Sequence, residues 1–178
     1  MNLREYDATD VDRIEAFFRR VPESDLTFAK ENPLAPGLLN EWLRGTGALR
    51  VLAIDEADQA VIGYIAVIPG VGLSRHVGEL RLIVDPARRG GGVGKALARH
   101  ALATALGRLG LRKIVVEVVA EQEQAIRMFR SLGFVAEAVL VDQLMDPSGH
   151  SQDLVLFAHF ADDNQSRFAA LGISGELL

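Results

Sequence analysis

No cysteine occurs among the 178 residues. That absence removes disulfide bonds, thiolate metal sites and a cysteine nucleophile at once, and it agrees with a reducing, cytoplasmic setting. Nor is there an excess of positive charge. Lys and Arg number 19 against 24 Asp and Glu, a formal net charge of −5, so bulk electrostatics do not recruit nucleic acid. No apolar run approaches the ~20 residues that cross a bilayer. The charged start "MNLREYDATD" lacks the apolar centre of a secretory signal. His76, His100, His150 and His159 form no i,i+4 pair or ligand cluster, which leaves a metal without a site. There is no nucleophile-elbow motif, no internal repeat and no low-complexity linker.

What is present is a globular mixture, 49% hydrophobic and 24% charged, of a length that suits one domain with a proper core. "NLREY" (2–6) reads as a strand. In "DATDVDRIEAFFRR", Asp7 or Thr9 can cap a helix whose apolar face is Val11, Ile14, Phe17 and Phe18. Residues 21–37 carry breakers and read as a long loop, tacked to the core by Phe28 and Trp42. "LLNEWLRG" is a short helix stopped at Gly45. "LRVLAID" and "AVIGYIAVI" form a hairpin, "HVGELRLIVD" is a long strand halted by Pro86, and residues 92–109 have helical spacing up to Gly110. "RKIVVEVVA" is a buried strand, "EQEQAIRMFRSLG" a helix, and residues 134–160 a closing hairpin. The step from strand 76–85 through helix 92–109 to strand 112–120 requires a right-handed crossover and a parallel pair. The expected fold is α/β (α+β), a mixed, mostly antiparallel sheet of about seven strands flanked by helices.

The stretch "RRGGGVGKAL" (88–97) places bare backbone and positive charge at a helix start. Such a start offers unpaired N–H groups and the positive end of the helix dipole. Glycines at 90, 91, 92 and 94 let a bulky anion approach, and Arg88, Arg89 and Lys95 add charge. The result suits phosphate or pyrophosphate. The Walker A pattern fails at Arg89 and at Ala96, and the dinucleotide G-x-G-x-x-G pattern fails at Lys95 or Leu97.

The stretch "VDPARRGGGVGKAL" resembles the acyl-CoA loop of the GNAT N-acetyltransferases. Arg89-Gly90-Gly91-Gly92-Val93-Gly94 is similar to that family's [Q/R]-x-x-G-x-[G/A] core, and "VEVVAEQEQAIRMFRSLGF" resembles its second segment. The resemblance covers about residues 1–160, expected to be the acetyltransferase domain, followed by a tail (161–178) to which no role is assigned. It implies acetyl-CoA as co-substrate, without a metal, and direct transfer of the acyl group to a primary amine of a small molecule, amino acid or peptide N-terminus. By the same resemblance, main-chain groups near Ile83 and Val84 hydrogen-bond the pantetheine arm in a slot between two parting parallel strands. The pyrophosphate lies on the N–H groups of Gly90, Gly91, Gly92, Val93, Gly94 and Lys95, beside Arg89. Glu117 and Glu79, on the two framing strands, are the candidate bases. A carboxylate inside so apolar a strand as 114–119 is costly unless paired or functional. The plainer expectations are a partner for Glu117 in Arg81 or Arg112, and a solvated strand-end charge for Glu79.

Two positions depart from the family pattern. The tyrosine that protonates the leaving thiolate is replaced by Phe129, which has no proton to give, and the usual asparagine by Gln122. Both are still expected against the cofactor. The acceptor site is expected from the loop after the first helix, the 69–76 reversal and the last hairpin, with Asp25, Glu31, Trp42, Tyr64, His76, Asp142 and Asp153 as candidates. The partners expected are an amine substrate and neither nucleic acid nor membrane, with a homodimer left open. A regulatory domain that binds acyl-CoA without transferring the acyl group is the alternative.

Overall fold

Alternating apolar residues sort the strands onto two faces of one sheet, and the helices cover both. The computed structural model describes residues 1–26, 30–45, 47–145 and 148–161. Phe28 and residues 162–178 of the tail lie outside that set. The strands are β1 (Asn2–Glu5), β2 (Leu49–Ile54), β3 (Val61–Pro69), β4 (Val77–Val84), β5 (Lys113–Val119), β6 (Val135–Met145) and β7 (Ser151–Phe160). The helices are α1 (Val11–Arg20), α2 (Glu23–Leu26), α3 (Leu38–Arg44), α4 (Val93–Gly107) and α5 (Glu123–Arg130). Asp7 begins the first helical segment: its side chain accepts from the Thr9 N–H, as a capping box with Asp10. The stretch expected as an uninterrupted loop, 21–37, contains the short helix α2.

The seven strands run in the order β1-β2-β3-β4-β5-β7-β6. Every neighbouring pair is antiparallel except β4 and β5, which are joined through α4 as the crossover rule requires. On one face, α4 and α5 pack Leu97, Ala98, Ala101 and Phe129 against Val51, Ile65, Leu80 and Val116. On the other, α1 and α3 bring Ile14, Phe17, Phe18, Leu39 and Trp42 onto Leu52, Tyr64, Ala66 and Ile83. This second core is aromatic at its centre. Trp42 stacks on Tyr64 with ring centroids 5.4 Å apart, and Phe18 meets both edge-on. Phe17 and Phe18 are fully buried, so truncating either to Ala costs about 3–5 kcal/mol.

Candidate active site

The parallel pair β4/β5 is short. Its register covers only Val77–Lys113, Gly78–Ile114 and Glu79–Val115, after which the strands part. Beyond that point β4 remains paired to β3 on its other side. The Gly70 N–H donates to the Val77 carbonyl, and the Asp85 N–H to the Ile62 carbonyl. Residues 77 and 85 therefore both face β3. Main-chain groups alternate sides along a strand, so Leu80, Leu82 and Val84 turn theirs to the gap, while Ile83 turns its own to β3. Of the two expected positions, Val84 turns its main-chain groups to the gap and Ile83 borders the adjoining groove, while Leu82 also turns its main-chain groups to the gap. Strand parity, once the end of the pairing is known, is the signal that finds Leu82.

The gap pierces the sheet and holds a cavity of about 150 Å³. From the α4/α5 face come Met128 and Phe129, with Leu82, Val116 and Gln122 in the walls; from the opposite face come Lys30, Glu79 and Glu117. Phe129 is both a slot residue and a core residue: it is buried and meets Phe134 edge-on at 5.1 Å. Neither of the chain's two tyrosines lines the gap. Tyr64 is buried in the aromatic cluster, and Tyr6 donates to the Leu39 carbonyl at 3.1 Å.

A groove of about 680 Å³ continues from the gap to the start of α4, lined by Val84, Arg89, Gly90, Gly92, Lys95 and the α5 entry. Gly90 and Gly92 hold φ of +77° and +82°, and each faces open space where a Cβ would stand. That backbone region disfavours any L side chain, which explains glycine at both places. The first helical bond runs from the Ala96 N–H to the Gly92 carbonyl at 3.0 Å. The N–H groups of Val93, Gly94 and Lys95 thus have no carbonyl in the helix to donate to, and they sit at the positive end of its dipole. Val93 itself turns its side chain into the core, and Gly91 lies beside the groove rather than on it. Unpaired amides, missing Cβ atoms and Lys95 fit a diphosphate.

Arg89 sits at this groove but is engaged. Its guanidinium donates to the Val84 carbonyl at 3.2 and 3.3 Å and forms an ion pair with Asp25 of α2. Asp25 therefore stands at this groove, beside the glycine-rich turn. Arg88 also borders the groove and pairs with Asp55 at 2.7 Å. Gln122 stands at the entry of α5, bordering both gap and groove.

On the acceptor face, charge alternates through side chains in contact. Lys30 Nζ donates to Glu117 Oε1 at 2.8 Å and lies 3.2 Å from Glu79 Oε1. Arg81 Nε donates to the same Glu79 oxygen at 2.9 Å, and its Nη1 to Glu31 Oε1 at 2.7 Å. Trp42 Nε1 closes the chain on Glu31 Oε2 at 3.1 Å. The two candidate bases are thus gathered on one ammonium. Lys30 is the partner of Glu117, the place where Arg81 or Arg112 was expected, and Glu79 is bonded rather than merely solvated. Burial pushes the Glu79 carboxyl up, but Arg81 and Lys30 outweigh it and hold the group below its ordinary range. Burial likewise pulls the Lys30 ammonium down, while Glu117 and Glu79 outweigh it and hold it above its usual value. No sequence spacing marks Lys30, which comes from a loop and holds a left-handed φ of 55°.

The other expected acceptor residues scatter. Tyr64 is core, and His76 lies at the closed end of β4/β5, where its carbonyl accepts from Arg112 and Lys113. Asp153 accepts from the Asp142 N–H at 2.9 Å within the last hairpin, which reaches the gap through Leu144 and Leu154 instead. No group of His, Asp and Glu able to hold a metal occurs among the described residues. No helix among them is long and apolar enough to cross a membrane.

The profile of the acetyltransferase (GNAT) family matches residues 11–134. A spermidine N(1)-acetyltransferase of Vibrio cholerae is 28% identical over 107 residues, 60% of this chain and 61% of its own length, so the match spans about three-fifths of that relative. A candidate phosphinothricin acetyltransferase of Bacillus subtilis is 27% identical over 157 residues, 86% of this chain and 95% of its own. The solved spermidine N-acetyltransferase of Vibrio cholerae in complex with CoA and spermine has a TM-score of 0.75 at 22% identity, covering 89% of this chain and 94% of that one. At that identity the likeness speaks for the fold.

Proposed function

The chain belongs to the acetyltransferase (GNAT) family, and from that premise we propose that it transfers an acyl group from acetyl-CoA directly to a primary amine. The observation that carries this reading is the early end of the β4/β5 pairing, after Glu79–Val115. It leaves an unpaired strand edge with an anion-binding helix start at one end and two glutamates in the wall.

On this reading the N–H groups of Val93, Gly94 and Lys95 and the Gly90–Gly92 turn hold the diphosphate. The gap-facing edge of β4, at the main-chain groups of Leu82 and the N–H of Val84, whose carbonyl accepts from Arg89, bonds the pantetheine amides as a further strand would. A gap-facing N–H of that edge lies toward the thioester oxygen, where negative charge develops. Phe129 and Met128 pack the sulfur end and keep water out. Glu117 is the base. Glu79 is committed to Arg81, a permanent cation that makes it a poor proton acceptor. Among the described residues, Glu117 has only the displaceable Lys30 in hydrogen-bond range. The acceptor ammonium replaces Lys30 on Glu117 and gives up one proton there; the freed amine forms the new C–N bond as the C–S bond breaks, and its second proton leaves to solvent. The departing thiolate, with an ordinary pKa of ~8.5, takes its proton from solvent or from Glu117.

Three carboxylates (Glu31, Glu79, Glu117) face two cations (Lys30, Arg81) on the acceptor side. Among the described residues the carboxylates alternate with these cations, an arrangement that suits a cationic amine as the acceptor. The replacement of the family's tyrosine by Phe129 favours a second reading, an acyl-CoA-binding regulatory domain. Release of free CoA thiol from acetyl-CoA, measured against pooled amino acids, peptides and small amines, separates the two. Amine-dependent thiol release supports transfer. Tight CoA binding without release across the panel establishes the regulatory reading instead.

A further inference from the structure

Lys30, Lys95 and Lys113 are the chain's three lysines. Lys95 stands at the start of α4, and Lys113 is spent on Glu137 at 2.6 Å. Lys30 alone projects its amine into the gap, where it takes the position an acceptor amine needs: 2.8 Å from Glu117 and 3.2 Å from Glu79. Its backbone sits at φ 55°, a conformation that a non-glycine residue adopts at a cost. The same cavity is lined by Leu82, Met128 and Phe129 on the side from which the thioester arrives.

We propose that Lys30 is itself an acyl acceptor, modified in cis by the acetyl-CoA held in its own slot. This rests on the transfer reading above. Nζ gives one proton to Glu117, its freed electron pair forms the C–N bond to the thioester carbonyl, the C–S bond breaks to leave CoA thiolate, and the second nitrogen proton passes through solvent to that thiolate. The amine is tethered beside the base, so the step proceeds without a second encounter. The product amide carries no charge. Acylation therefore removes the cation that occupies Glu117 and leaves both glutamates without their internal ammonium.

The test is incubation of the purified full chain with acetyl-CoA and no added amine, followed by intact mass and peptide mapping, with external-amine turnover measured in parallel. One acetyl group is expected on Lys30, with a first-order rate independent of protein concentration, slowed about a hundredfold in Glu117→Gln. Lys95 and Lys113 serve as internal controls for uncatalysed acetylation. Lys30→Arg should leave the segment unlabelled. External turnover with Lys30 unmodified overturns this inference and leaves the transfer reading intact. Labelling of all three lysines at similar rates, or rates that rise with protein concentration, also overturns it. Absence of both modification and external turnover overturns the two together.

Discussion

Replacing Glu117 by Gln keeps the shape of the slot and removes the proposed proton acceptor. The Glu117 side chain is 29% exposed and its Lys30 partner 38%, so solvent screens their ion pair and its loss costs under about 1 kcal/mol of stability. In a domain of this size that lowers Tm by about 2–4 °C. The rate should fall much further. A positioned base contributes roughly a hundredfold or more, equivalent to about 2.7 kcal/mol of activation free energy. The diphosphate amides at Val93–Lys95 are untouched, so the Kd for CoA should hold. Glu79→Gln is the matched control: it breaks contacts to Arg81, whose side chain is 14% exposed, and to Lys30. It should lower Tm more and turnover less. Thiol release at saturating acetyl-CoA, calorimetric CoA titration and thermal melts of both variants make the comparison. If Glu79→Gln abolishes turnover while Glu117→Gln runs at the wild-type rate, the assignment of the base is wrong.

Gly92→Asp should weaken CoA binding about tenfold or more, because it adds a carboxylate at the helix start where phosphate would lie. Gly92→Ala carries the same left-handed strain without the charge, and equal affinities for the two variants would refute an anion site there. Asp25→Asn should tighten CoA binding severalfold, since it frees Arg89 from a competing carboxylate; unchanged or weaker binding in a CoA titration would show that the pair does not compete. Burial lowers the His159 pKa below its ordinary 6.5, and its Nδ1 has no partner. The unfolded chain then binds that proton more readily, so this contribution is complete above about pH 6.5 and is lost as pH falls from there toward the lower folded value. Thermal midpoints of wild type and His159→Phe should diverge on acidification through that window, and parallel curves would exclude the effect.

Much of this molecule can be read one residue after another. The apolar spacing of Ile14, Phe17 and Phe18, the alternation in β4 and β5, and the glycines before α4 each act through neighbours a few positions away, and each declares its element in the sequence. The crossover between parallel strands follows from connection chirality, a general rule of twisted sheets. Glu117 is visible because a carboxylate within "IVVEVV" contradicts its surroundings. By contrast, Lys30 sits 87 positions from Glu117 in a loop with no periodicity, and nothing local announces their contact. The pairing of Arg81 with Glu31 rather than Glu117, and of Arg89 with Asp25, likewise depends on where Glu31 and Asp25 come to lie beside the sheet. The sequence alone determined the seven strands and the longer helices, the glycine-rich turn before α4 and the two acidic candidates. Tertiary structure alone decided where β4 leaves β5, which amides of β4 point into the opening, and which cation sits on the carboxylates. Secondary structure and turns answer to short-range backbone sterics and patterning, whereas long flexible charged side chains choose partners only after the whole sheet has brought distant segments within reach.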